Sequence, residues 1–261
     1  MNCLIETALL THGLRSIANE ELAQSWHCPD AILAWVDGGE LKIGPIGEYL
    51  PFRERSEELV RIDCDHLEEA RQSRASGALT ASGTMAVCRR LDIPMAITCG
   101  MGGIGDLRGE ELCPDLPAMM NIPVALISTS PKDMLDRPAT LDWLRRHGVH
   151  TAGEPCTGYL FCGEPVALEL PLSSCNNEAA VRRLTANGGL LLLNPIPEKE
   201  RVQDRSILVD AIKAGKQAEA EGHYYHPAAN GEIDRRTGGY SSRIQLESIQ
   251  QNYLLAKSIM D

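Results

Sequence analysis

The sequence has few aromatic residues and nothing that marks a membrane or secreted protein. Only 4% of its 261 residues are aromatic, and no apolar run reaches the roughly 18 residues of a membrane-spanning helix. The start, MNCLIETALLTHG, has neither a basic n-region nor a small-residue cleavage site. We therefore expect a cytoplasmic protein without a membrane partner.

The sequence also lacks paired cysteine motifs and long runs of like charge. Its nine cysteines are odd in number and include no CxxC pair. Most flank apolar runs, where a thiol packs as a small hydrophobe, so we expect reduced, structural cysteines. A net charge of -11 opposes binding to a nucleic acid polymer, although a few local arginines or lysines can still hold a small anion.

Short apolar runs alternate with amphipathic segments along the chain. The pattern predicts strands at residues 3–10, 31–36, 95–98, 124–128 and 190–193, and helices at residues 64–74, 83–91, 139–146 and 205–220. This alternation is typical of an α/β fold with a largely parallel sheet covered on both faces. No linker-like stretch divides the chain, so we expect a single domain over residues 1–261.

Polar residues follow several of the predicted strands. Glu6 and His12 lie on or after the first, residues 98–105 follow a central strand, Lys132 follows the next, and Asn194 follows the run LLLL. Because ligands of α/β folds bind at the carboxyl ends of strands, we expect these residues to meet in one crevice, unless they only begin surface turns. The turn-rich segment 153–174 is predicted to form a flap or an edge hairpin.

A glycine-rich turn, GMGGIG at residues 100–105, formally contains the GxGxxG dinucleotide motif. That motif needs a helix to begin at its third glycine, so that helix amides face the pyrophosphate. Here DLRGEELCPDLP follows, and Gly109 and Pro114 interrupt it. We therefore expect a glycine-lined pocket for a sugar or phosphate, or a plain tight turn, rather than a nicotinamide site.

Lys132, in TSPKDMLD, is a candidate nucleophile. Pro131 and Asp133 are typical of a helix start, which would place the lysine in a first helical turn. The helix dipole and partial burial would both lower its pKa and favour the free amine, which can attack a carbonyl or acetal carbon. The ordinary alternative is a solvated surface lysine.

Two carboxylates can supply acid-base chemistry or hold a hard divalent ion. Asp115, in CPDLPAM, is a candidate for this together with Glu6, although an aspartate there also suits the N-cap of the helix that follows. His223 and His226 have i, i+3 spacing, but no third zinc ligand is marked nearby.

Seven short strings occur in the order LIETALLTHG, GGELKIG, GALTASGTM, ITCGMGGIGDLRG, CPDL, STSPKDMLD and NGGLLLLNPIPE. Each string is weak alone, but in this order they resemble the pseudouridine-5'-phosphate glycosidase family, which includes indigoidine synthase A-like proteins. The resemblance covers most of the chain. It implies an α/β/α sandwich, a homotrimer, and a divalent manganese ion (Mn2+) in the site.

The resemblance also implies roles for particular residues. Lys132 matches the lysine that forms a Schiff base with ring-opened ribose, Glu6 the proton-shuttling glutamate, and Asp115 the metal-binding aspartate. Substrate contacts are implied at Arg61, Thr98, Gly102, Gly103, Arg108 and Asn252. A C-glycosidic bond has no lone-pair-bearing leaving atom to protonate, so an iminium electron sink suits it better than a two-carboxylate route.

Other positions depart from the family pattern. Arg61 stands where the family has a second lysine, and arginine can hold an anion but cannot shuttle a proton near neutral pH. Residues 63–65 replace a serine and arginines, residues 105–107 replace a histidine, and Cys113 replaces a serine. These replacements leave the requirement for a 5'-phosphate open.

We therefore expect an enzyme of the glycosidase or lyase class that cleaves, or reversibly forms, the C–C bond of pseudouridine 5'-phosphate or a related C-nucleoside. Its partner would be a small ribosyl substrate, phosphorylated by family analogy. One alternative is a C-nucleoside synthase that joins ribose 5-phosphate to another ring. A second is a non-catalytic sugar or nucleotide sensor, which Lys132 disfavours because a sensor has no need of a nucleophile.

Overall fold

The computed structural model describes residues 2–105, 113–186, 188–223 and 225–260. The strands are β1 (Cys3–Ile5), β2 (Leu33–Asp37), β3 (Glu40–Gly44), β4 (Val60–Ile62), β5 (Gly77–Leu79), β6 (Met95–Ile97), β7 (Gly100–Met101), β8 (Ala125–Ser128), β9 (Ser130–Pro131), β10 (His150–Gly153) and β11 (Leu190–Leu193). The helices are α1 (Asn19–Ser25), α2 (Ile46–Arg53), α3 (Leu67–Gln72), α4 (Ala81–Arg90), α5 (Asp115–Asn121), α6 (Arg137–Arg146), α7 (Glu178–Ala186), α8 (Ser206–Ala220), α9 (Tyr225–Arg236) and α10 (Tyr240–Met260). Short helical turns lie at Leu9–Gly13, Leu172–Cys175 and Glu198–Glu200.

A nine-stranded sheet forms the centre of the fold. Its strand order is β10-β11-β8-β6-β1-β2-β5-β4, and β3 also pairs with β2. Neighbouring strands are parallel, except that β2 runs antiparallel to both β3 and β5. A separate two-stranded parallel sheet joins β7 to β9. The predicted α/β fold with a largely parallel or mixed sheet is confirmed.

Side chains of the central strands alternate between two hydrophobic cores on opposite faces of the sheet. In β6, Met95 and Ile97 enter the core that contains the apolar face of α10, whereas Ala96 enters the core that contains α4 and α5. The run LLLL of β11 is buried throughout for the same reason. A sheet that is apolar on both faces needs a helix layer on each, so the predicted α/β/α sandwich is also confirmed.

Most predicted elements match the observed ones within a few residues, but the strand predicted at residues 3–10 is wrong beyond Ile5. The residues Leu9–Gly13 form a π-helical turn, which follows Ala8 with helical φ and ψ of -62° and -37°. A short apolar run buried in a helical turn has the same pattern as a buried strand, because neither shows a polar face. Because β1 ends at Ile5, Glu6 is the first residue after the strand.

The helix start predicted at Lys132 is wrong as well. Ser130–Pro131 form β9, and α6 begins only at Arg137, where the Asp136 carboxylate accepts a hydrogen bond from the Ala139 amide at 2.9 Å. The DRP sequence there supplies both an N-cap and an early proline, which is the stronger start signal. Lys132 therefore lies before the helix, outside its first turn.

The segment 153–174 is a packed loop with hairpin character. Cys156 and Val166 form an antiparallel bridge across it, as an edge hairpin requires. The buried Asp133 carboxylate accepts hydrogen bonds of 2.6 to 3.0 Å from the backbone amides of residues 159–161. These bonds tie the loop to the residue next to Lys132 and bring Tyr159 toward the candidate site.

The helices and the cysteines agree with the composition of the chain. No helix among the described residues is long and apolar enough to cross a bilayer. All nine cysteines carry free thiols and six of them are buried, as expected of thiols that pack as small hydrophobes, while their reduced state stays a prediction.

Candidate functional site

Two adjoining cavities lie where β1, β5, β7 and β9 end. The larger, of about 490 Å³, extends from Lys132 along β4 to α3, and a smaller chamber of about 40 Å³ borders Glu6. Arg61, Asp115 and Lys132 line both. The carboxyl ends of these strands thus meet in one crevice, as predicted, but Asn194 after β11 lines a different cavity.

Lys132 lies between the two cavities. Its backbone amide donates to the Met101 carbonyl at 3.2 Å, which holds the residue beside the glycine turn. Burial and the positive charge of Arg61 lower the pKa of the Lys132 ammonium group, against the opposing attraction of Glu6 and Asp115. A lowered lysine pKa increases the share of nucleophilic free amine. The pKa of Lys132 is therefore lowered, as predicted, and burial is the main cause, as expected. The second cause is the charge of Arg61 and not a helix dipole.

Glu6 borders the small chamber and is only 6% exposed. Burial raises the pKa of its carboxyl to about 7, although the hydrogen bond from Thr98 Oγ1 at 2.7 Å and the charge of Lys132 act in the opposite direction. A carboxyl group that titrates near neutral pH can both give and accept a proton. The chamber thus combines a potential nucleophile with a potential acid-base group.

Glu6→Gln is expected to stabilise the fold at alkaline pH. Folding raises the pKa of Glu6 from its ordinary 4.5 to about 7, so its contribution to stability is full below 4.5 and is lost as pH rises through 7. The amide has no charge to desolvate. The variant should therefore have a free energy of unfolding higher by on the order of 3 kcal/mol at about pH 8, and little changed at about pH 4. Urea denaturation at both pH values measures this, and equal differences at the two would contradict it.

Asp115 is the first residue of α5, but its side chain does not cap that helix. Its Oδ1 accepts from the Ser82 amide at 3.1 Å, in the first turn of α4, and its Oδ2 accepts from the Gly102 amide at 2.8 Å. The alternative of an N-cap for its own helix is therefore wrong. The carboxylate instead joins α4 to the glycine turn, and each oxygen keeps a further lone pair.

Asp115→Ala is expected to lower the free energy of unfolding by about 2 to 4 kcal/mol, since it leaves two buried amides without acceptors. Asp115→Asn keeps one acceptor oxygen and should cost less. Urea denaturation compares both with Asp142→Ala, a change at a partly exposed surface aspartate. A loss no larger than that of Asp142→Ala would contradict the prediction.

The glycine turn forms a wall of the site. Gly102 lines the large cavity, and a Cβ on it would lie 2.0 Å from Cys113 Sγ. A Cβ on Gly103 would lie 2.6 Å from Thr140 Oγ1 of α6, so this glycine serves close packing. No helix begins within residues 100–105, which agrees with a glycine-lined pocket and not with a dinucleotide loop.

Comparison with known proteins decides the family. The model of the family described as indigoidine synthase A like protein matches residues 4–260. The chain belongs to this family. Its curated relatives include two named pseudouridine-5'-phosphate glycosidase, from Methylobacterium nodulans (28% identical over 98% of this chain and 81% of the relative) and from Saccharopolyspora erythraea (28% identical over 98% and 90%).

Solved structures share the fold. An indigoidine synthase A-like protein from Thermotoga maritima superposes with a TM-score of 0.77 at 19% identity, covering 98% of this chain and 91% of the other. The prealnumycin C-glycosynthase AlnA, solved in complex with ribulose 5-phosphate, superposes with a TM-score of 0.76 at 22% identity and the same coverage. The predicted membership of the indigoidine synthase A-like family is confirmed.

The substrate-binding residues implied by the family resemblance do not all face the cavities. Asn252 is fully buried, and its Nδ2 donates to the Thr98 carbonyl at 2.8 Å and to Thr129 Oγ1 at 3.2 Å. Its Oδ1 accepts from Asn194 at 3.0 Å. Asn252 and Thr98 therefore lie behind Glu6 and support it, in place of the direct substrate contact that was predicted.

Arg108 and Asp106 lie outside the described residues. Two residues that the sequence did not predict, Tyr159 and Asn230, also line the small chamber. Tyr159 arrives on the loop that Asp133 holds, and Asn230 arrives on α9, a helix that the apolar pattern did not predict. Neither has a local sequence signal, because both positions depend on contacts between distant segments.

Asp115 is the available anchor for the divalent ion that the family implies. The described residues contain no group of three or more His, Cys, Asp and Glu side chains that could hold a metal ion. The Asp115 carboxylate nevertheless lines both cavities and retains lone pairs beyond its two amide bonds. These residues fit a hydrated ion held by one carboxylate, which is a common mode for hard cations, and not a protein cage.

Proposed function

We propose that this protein cleaves, and reversibly forms, the C–C glycosidic bond of pseudouridine 5'-phosphate or a related ribosyl C-nucleoside. The observation that carries the proposal is the chamber where Lys132, with its pKa lowered, and Glu6, with its pKa raised to about 7, face the same space. The name shared by the curated relatives and the ribulose 5-phosphate complex of AlnA support a sugar phosphate substrate.

The residues support a route through an imine. The neutral Lys132 amine bonds to C1 of the ribose as the bond from C1 to the ring oxygen breaks, and a proton passes from the nitrogen to that oxygen, which restores the nitrogen lone pair. The nitrogen lone pair then forms the iminium, and the electron pair of the C–C bond moves to the carbon of the base. Glu6 in its protonated form gives its proton to that carbon. Water hydrolyses the iminium, which releases the sugar and restores the amine.

Reductive trapping tests this route. The protein is incubated with ribose 5-phosphate, ribose, pseudouridine or its 5'-phosphate, each with manganese, then reduced with borohydride and mapped by mass spectrometry. An adduct on Lys132 is expected, and Lys213→Arg serves as the control at a surface lysine. If none of these compounds labels Lys132, the proposal is wrong.

We also propose that Asp115 holds a divalent ion, manganese by family resemblance. When bound, the ion supplies positive charge that stabilises negative charge on a substrate oxygen. Titration of the free protein with manganese, followed by electron paramagnetic resonance, should show a site whose affinity falls about tenfold or more in Asp115→Asn. Unchanged affinity in this variant, with Asp142→Asn as control, would place the ion elsewhere.

Synthesis is a second candidate function, favoured by the fold shared with the C-glycosynthase AlnA. Each step above can run in reverse, so the same residues serve both directions. Incubation with ribose 5-phosphate and uracil should yield pseudouridine 5'-phosphate, detected by mass spectrometry. Product from another ring but not from uracil would instead favour a synthase of different specificity.

We further propose a homotrimer in the cytoplasm. The trimer rests on the family resemblance, and light scattering should then give three times the chain mass of 28.5 kDa. A monomer mass would contradict it. The nine free thiols support a reducing compartment.

A further inference from the structure

Three side chains around the two cavities carry buried polar atoms without a hydrogen-bond partner. They are His12 Nε2, His226 Nδ1 and Asn230 Oδ1. Among the described residues, only Arg71 Nε and Arg201 Nη1 share this property, and both belong to guanidinium groups. Because folded proteins pair nearly all buried polar atoms, three such atoms beside one cavity system indicate places for a bound molecule.

Two of these atoms belong to the small chamber. His12 lies in the π-helical turn Leu9–Gly13 and Asn230 lies in α9, and these two elements pack against each other. Both residues line the chamber that Glu6 and Lys132 also line. His226, one turn earlier in α9, lines the large cavity instead.

His12 Nε2 and Asn230 Oδ1, the two atoms in the chamber, are both hydrogen-bond acceptors without a donor. Burial and the charge of Arg61 lower the pKa of His12 to about 4, so the ring is neutral near pH 7 and carries one N–H. That N–H is used in a hydrogen bond with the Val60 backbone, which leaves a lone pair on Nε2. Asn230 Oδ1 is a carbonyl oxygen. The chamber therefore lacks two hydrogen-bond donors.

We propose that His12 and Asn230 accept hydrogen bonds from the C2 and C3 hydroxyls of the sugar, and thereby select ribosyl over deoxyribosyl substrates. The inference rests on the proposed function, which places C1 of the sugar at Lys132. The two hydroxyls are then one and two carbons from the reacting atom, next to the chamber that Lys132 borders. Vicinal hydroxyls supply one donor each, which matches the two free acceptors in number.

Calorimetry with deoxy sugars tests the pairing. The wild-type protein should bind ribose 5-phosphate about fivefold or more tightly than 2-deoxyribose 5-phosphate or 3-deoxyribose 5-phosphate, as expected for one lost hydrogen bond. His12→Phe and Asn230→Leu each remove one acceptor. One variant should abolish the preference for the 2-hydroxyl, and the other should abolish the preference for the 3-hydroxyl.

Controls separate this outcome from general damage. His223→Phe and Asn176→Leu, at exposed positions that line neither cavity, should retain both preferences. The variants come from different elements, so misfolding of one leaves the other informative, and melting curves check both. The inference is overturned if the wild type does not discriminate, if it binds neither ribose 5-phosphate nor ribose, or if both preferences persist in both variants.

The same titrations in Lys132→Ala distinguish this inference from the proposed function. That variant can form no imine, so its binding reports the hydroxyl contacts alone. If borohydride labels no lysine but the hydroxyl preferences depend on His12 and Asn230, the imine route fails and the inference stands. If Lys132 is labelled and the preferences do not depend on these residues, the inference fails alone.

Discussion

Lys132→Arg is expected to lower kcat/KM for pseudouridine 5'-phosphate by about 10⁴-fold or more. Arginine keeps a positive charge at this position, but its guanidinium stays protonated and cannot attack a carbon. The native lysine escapes this limit because burial and the charge of Arg61 lower its pKa. Release of uracil, followed by chromatography, measures the effect.

The control for this experiment is Lys213→Arg, which changes a largely exposed lysine in α8 and should leave turnover unaffected. Residual activity of Lys132→Arg within about tenfold of the wild type would show that the amine is not the nucleophile. The variant should stay folded with a somewhat lower melting temperature, because its permanent charge replaces a group whose charged form burial and Arg61 already disfavour.

Glu6→Gln is expected to slow the reaction by about 10² to 10⁴-fold and to change its pH dependence. Glu6 gives its proton to the base only when protonated, and its pKa is about 7. The protonated fraction falls as pH rises above that value, so the wild-type rate should decline on the alkaline side of 7. Glutamine has no such titration, and its residual rate should lack this decline.

Measurement of kcat/KM from about pH 5 to about pH 9 tests this prediction. Glu57→Gln, at an exposed position, is the matched control and should keep the wild-type profile. An alkaline decline that survives in Glu6→Gln would belong to another group and would remove Glu6 from the proton transfer. Glu6→Gln is expected to slow the reaction and, at alkaline pH, to raise the free energy of unfolding. The two results together would show that the buried carboxyl of Glu6 serves function at a cost in stability.

Prediction from the sequence was most successful for segments whose pattern is local. The apolar runs of β2, β6, β8 and β11 and the amphipathic patterns of α3, α4, α6 and α8 are visible within a few residues of sequence. The errors arose where a local pattern has two solutions. Residues 6–10 are apolar enough for a strand but form a turn, and Pro131 resembles a helix start but ends a short strand.

Prediction from the sequence was accurate for the position of three candidate residues and wrong for the position of a supporting one. Glu6, Asp115 and Lys132 were singled out because carboxylates and lysines have recognisable chemistry. All three line the small chamber, and their roles stay predictions. Asn252 was expected to touch the substrate, yet it is buried behind Glu6. Tyr159 was not foreseen, since a loop held by a distant carboxylate brings it to the site.

The sequence by itself determined the α/β class, the family and the candidates for the reactive side chains, because periodicity and motifs are properties of short segments. Only the tertiary structure decided how those side chains ionise. Burial lowers the pKa of Lys132 and raises that of Glu6. Arg61, which β4 brings to the cavity from a distant part of the chain, adds to the shift of Lys132 and opposes that of Glu6. Desolvation and charge act through space, so no local pattern in the sequence specifies them.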